Sequence, residues 1–134
     1  MLTSQNLANL RASLFGVTGA ICFLYAALAL LNGRPDPMPF WIPAAFGIMS
    51  AVVIFIGAQL AGRDRAAQAF DEGYAADRQK AERYAFWIAL MLYPLFALPL
   101  INGLINAPTA YAAMGTLTGG SYLVLAVWFE KRGQ

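Results

Sequence analysis

The side chains able to do chemistry are few in this chain and unevenly placed. There is no histidine, and Cys22 is the single cysteine. A Cys/His metal site and an intrachain disulfide are therefore both excluded. Ser121, in Gly119-Gly120-Ser121-Tyr122, superficially resembles an intramembrane protease serine. Without a base a serine is a poor nucleophile, and no histidine exists to activate it, so a small residue at a helix contact is the expected role. Aspartyl chemistry inside a bilayer needs two carboxylates within the spans, and the apolar stretches carry none.

The remaining acids to weigh are Asp64, Asp71, Glu72, Asp77 and Glu82. Phosphoryl transfer through Mg²⁺ needs several acids converging on one face. On a helix of 3.6 residues per turn Asp71 and Asp77 stand about 240° apart, so they share none. Each acid also has a basic neighbour, as Glu82 has Arg78, which reads as a solvated, ion-paired helix. No catalytic, cofactor-binding or metal-ligating residues are assigned, and the chain is expected not to be an enzyme. The formal charge of +2 is too small and too scattered for a nucleic-acid binder.

The elements that carry these residues follow from where charge is missing. Of the 134 residues 60% are hydrophobic and only 12% charged, against about 25% in a typical soluble domain. Uncharged stretches of 22, 26 and 46 residues separate Arg11 from Arg34, Asp36 from Arg63, and Arg83 from Glu130. A hydrocarbon core roughly 30 Å thick takes about 20 apolar helical residues, so the stretches hold one, one and two spans. We expect an all-α membrane protein: one four-helix transmembrane domain over residues 1–134, an up-down-up-down bundle with spans at about 11–31, 41–61, 84–102 and 109–129. The polar start, Met1 to Leu10, lacks a basic flank and a cleavage site, so the first helix is expected to be a permanent span.

The first helix ends at Asn32-Gly33, and three prolines between Arg34 and Pro39 forbid helix in the loop that follows. Phe40 and Trp41 fit a membrane–water boundary. Pro94 and Pro99 should kink the third helix by removing hydrogen bonds to Leu90 and Leu95. Small-residue stripes at Gly16 and Gly19, at Gly57, and at Gly115 and Gly119 are expected to pack helices closely, within one chain or between copies in a homo-oligomer. Asn102, Asn106, Thr116 and Ser121 form a candidate polar cavity; capping the tight turn and bonding between helices is the simpler role for such residues.

Residues 62–84 hold ten of the sixteen formal charges and, being rich in alanine, should form a helical hairpin. The second and third helices are expected to extend through it and turn near Asp71 to Gly73, with Asp71 or Glu72 at a helix start. With both termini and this hairpin cytoplasmic, eight basic residues lie inside and Arg34 alone outside, the split that the bias toward basic cytoplasmic loops favours.

The run from Asp71-Glu72-Gly73-Tyr74 through Asp77-Arg78-Gln79-Lys80-Ala81-Glu82-Arg83-Tyr84 to Phe86-Trp87 resembles a pattern in uncharacterised bacterial four-helix inner-membrane proteins. In these an Asp-Glu pair opens a charged helix that enters an aromatic-led third span. The resemblance covers about thirty residues plus the four-helix layout. It implies the bacterial inner membrane and no enzymatic activity; some such proteins look like membrane partners of cytosolic transcriptional regulators. The expected function is a non-catalytic accessory or regulatory protein that meets a protein partner at the cytoplasmic face. Arg63, Arg65, Phe70, Tyr74, Arg78, Lys80 and Arg83 are the candidate contacts, the rings as anchors and the cations for steering and for anionic membrane lipids. The alternative is a small homo-oligomeric channel or transporter for a neutral or weakly polar solute.

Overall fold

A computed structural model describes residues 3–132. Five helices run in order: α1 (Ser4–Asn32), α2 (Trp41–Ala61), α3 (Arg63–Ala69), α4 (Glu72–Ile101) and α5 (Ala107–Arg132). Four of them, all but α3, are long and apolar enough to cross a membrane. Local chemistry explains the boundaries. Thr3 Oγ1 accepts a hydrogen bond from the Asn6 amide and so caps α1. Gly33, at φ 63°, closes α1 with its N–H donating to the Ala29 carbonyl, a left-handed position that favours glycine. The Asp71 carboxylate accepts from the Tyr74 amide and caps α4.

The second helix does not continue into the charged segment. It stops at Ala61, because Gly62 adopts φ 87°, ψ 159° and breaks the helical path; the chain then restarts as the seven-residue α3. The turn itself falls at Phe70 and Asp71, beside the expected place. The side chain of Glu72 lies outside the described part. The third long helix runs unbroken through Pro94 and Pro99.

Packing places α1 and α5 at the centre: α1 packs against α2 and α5, and α5 also packs against α4. Among the described residues α2 and α4 share no packed interface. The α1–α5 contact is close because glycines meet there. A Cβ built on Gly19 would stand 3.0 Å from Val124 Cγ2 and 3.3 Å from the Gly120 carbonyl oxygen. One on Gly120 would stand 3.1 Å from Cys22 Cβ. One on Gly57 would stand 3.1 Å from Leu7 Cδ1, whereas one on Gly16, Gly115 or Gly119 would meet nothing within 4 Å. The intrachain contact on α5 is thus made by Gly120, one residue beyond the expected stripe.

Ala26 of α1, Leu92 and Phe96 of α4, and Ala110 and Ala113 of α5 form the main apolar cluster. The two flanking helices leave broad apolar faces outward, among them Ile48, Phe55 and Leu60 on α2 and Trp87, Met91 and Leu95 on α4. Contiguous apolar surface of this extent is untenable in water and is matched by lipid tails.

Candidate functional site: the charged end

The beginning of α1, the whole of α3, the beginning of α4 and the end of α5 meet at one end of the molecule. Arg11 joins them. Its Nη2 lies 2.6 Å from Glu130 Oε1 and its Nε 3.4 Å from Oε2, a two-point approach of guanidinium to carboxylate. Its Nη1 donates to the Ala69 carbonyl at 2.8 Å. The guanidinium carbon sits 3.7 Å from the Tyr74 ring centroid and 4.8 Å from that of Phe70. Those two rings meet edge to face at 5.5 Å. Arg11 is only 2% exposed and Glu130 7%, so water screens the pair little and each charge depends on the other.

This arrangement gives Phe70 and Tyr74 a role that their spacing did not reveal: both rings lie close to a cation of their own chain. They remain partly accessible, and with Ala75, Arg78, Gln79 and Glu82 they line a shallow groove of about 760 Å³. Arg78 donates through Nε to Glu82 Oε1 at 2.9 Å, and Lys80 to Asp77 Oδ1 at 3.1 Å. Both pairs have largely exposed cations, so each contributes at most about 1 kcal/mol. Arg83 is exposed on the same helix. Arg63 and Arg65 line a separate hollow of about 260 Å³ with Leu60 and Asp64. The structure therefore gathers Phe70, Tyr74 and Arg78 around one groove and sets Arg63 and Arg65 beside another.

On the inner side of Tyr74, Gln5, Arg11, Asp71, Asp77 and Glu130 surround a polar cavity of about 260 Å³. Sequence reasoning missed Arg11 and Glu130 as functional residues. The available signal was a pair of opposite charges at matching ends of two apolar stretches, where an isolated ion would be expensive.

The four candidate cavity residues take other positions. Asn106 caps α5, accepting from the Thr109 amide at 2.8 Å, and donates to the Gly33 carbonyl at 3.2 Å, tying the two loops at the far end together. Asn102 ends α4, its amide bonded to the Leu98 carbonyl. The Thr116 hydroxyl donates back to the Ala112 carbonyl at 2.8 Å, within its own helix, and Ser121 is buried. Between helices, Thr18 and Ser50 share a hydrogen bond of 3.0 Å across α1 and α2. The Thr109 hydroxyl is buried without a partner.

No family model, curated protein or solved structure matches this chain.

Proposed function

We propose that the chain is a non-catalytic, multi-pass protein of the bacterial inner membrane that docks a cytosolic regulatory protein at its charged end. The observation that carries this reading is the groove of Phe70, Tyr74, Ala75, Arg78, Gln79 and Glu82, an aromatic floor with ionic edges. Aromatic residues and arginine are the side chains that most often dominate binding at protein interfaces. The groove is also braced from beneath by the buried Arg11–Glu130 pair, so its walls are preorganised and less ordering entropy opposes binding. The charge bias described above sets this end in the cytoplasm with both termini, in an up-down-up-down arrangement. Arg63, Arg65, Lys80 and Arg83 then steer an acidic surface of the partner and meet anionic headgroups of the inner leaflet.

A solute pathway has weaker support, because Asn106 and Thr116 direct their hydrogen bonds to backbone groups. The test is co-purification in mild detergent. Reversing charge with Arg78→Glu and Lys80→Glu, both exposed, should remove the co-purifying protein while leaving insertion intact. Retention of the same protein by the doubly reversed variant would refute docking at this groove.

A further inference from the structure

The groove's inner wall has the parts of a cation receptor. Two aromatic faces, one carboxylate and one carbonyl converge on a single guanidinium: Tyr74 at 3.7 Å, Phe70 at 4.8 Å, Glu130 at 2.6 Å and the Ala69 carbonyl at 2.8 Å. Three of these four groups belong to the corner between α3 and α4, while the cation comes from α1 and the carboxylate from α5. α3 lies against α1 and α2, yet Ala69 is its one buried residue, in a small cluster with Leu7, Ala61 and Ala58. A seven-residue helix is too short to be stable by itself.

We propose that Phe70, Tyr74, Glu130 and the Ala69 carbonyl form a guanidinium receptor whose occupation by Arg11 latches the α3–α4 corner shut. The latch acts on the same end at which the partner docks, so its regulatory meaning rests on that reading. With the receptor filled, the aromatic floor of the groove is closed and fixed. With it empty, Glu130 is left as an unpaired buried charge, and the corner opens to let water reach it. The ligand class is specific: a planar fork meets carboxylate and carbonyl together while stacking on the rings, which an ammonium group cannot do.

Arg11→Ala in lipid nanodiscs tests this without any partner. Trypsin cleavage after Arg63 and Arg65, told apart by fragment mass from cleavage at the exposed Arg78, Lys80 and Arg83 of α4, reads opening of the corner. Cleavage should accelerate about tenfold in the variant, as local opening is freed. Millimolar methylguanidinium should restore protection, equal methylammonium should not, and adding Phe70→Ala and Tyr74→Ala should abolish the rescue. Unchanged cleavage in Arg11→Ala, or equal effects of the two cations, would overturn the latch. If Arg11→Ala does not insert, Arg11→Lys serves: it keeps the charge and loses the fork, and protection equal to the parent protein would overturn the proposal. Retention of the partner by the charge-reversed variant, with the corner closed, would count against docking alone; an Arg11→Ala corner that opens yet still captures the partner would overturn the latch's regulatory role alone.

Discussion

At Arg11 one guanidinium meets a carboxylate, a carbonyl and two rings, at 2% exposure. Removing one partner from such a site strands a buried charge, at a cost of about 3–5 kcal/mol. Replacing both partners by apolar groups removes the need for compensation. Glu130→Gln should therefore lower thermal stability in detergent markedly, while Arg11→Met combined with Glu130→Leu should recover most of the loss. A double variant as unstable as the sum of its single changes would show that the pair is not coupled. The exposed Arg78–Glu82 pair has both side chains about half exposed, and its loss is expected to change stability by less than about 1 kcal/mol.

At the scale of elements, the contact between α1 and α5 depends on glycine where two backbones approach. Gly120→Ala would bring a methyl to 3.2 Å from the Gly19 carbonyl oxygen and 3.1 Å from Cys22 Cβ. Backbone must shift to admit it, at about 1–3 kcal/mol. Gly119→Ala meets nothing within 4 Å and should leave monomer stability unchanged or slightly raised by better helix propensity. Thermal unfolding of the two variants side by side checks the contrast. The small-residue pattern located the packing helices, yet Gly119 and Gly120 are neighbours about 100° apart on the helix surface. Only docking against α1 distinguishes them. The end of α2 was hidden for a similar reason. An alanine-rich segment favours helix, and the break is made by the backbone of Gly62 at φ 87°.

At the scale of the whole molecule, four long apolar helices and one charged end define a multi-pass layout. The proposed orientation predicts that a cysteine at Gln79 and one at Pro37, each in a Cys22→Ser background, label from opposite sides. In intact cells an impermeant maleimide should reach the Pro37 cysteine and not the Gln79 cysteine. The reverse pattern would invert the topology. The sequence by itself determined that the long helices exist and roughly where they lie, because lipid demands length and apolarity whatever the neighbours are. It also offered Phe70, Tyr74 and Arg78 among seven candidate contacts of the charged segment, without grouping those three. Helix order and the bracing of the charged end were decided by tertiary structure. Arg11 and Glu130 lie 119 residues apart, and no local periodicity links them. Their pairing arises because α1 and α5 pack side by side, and a charge carried into that contact is stable only where another stands opposite it.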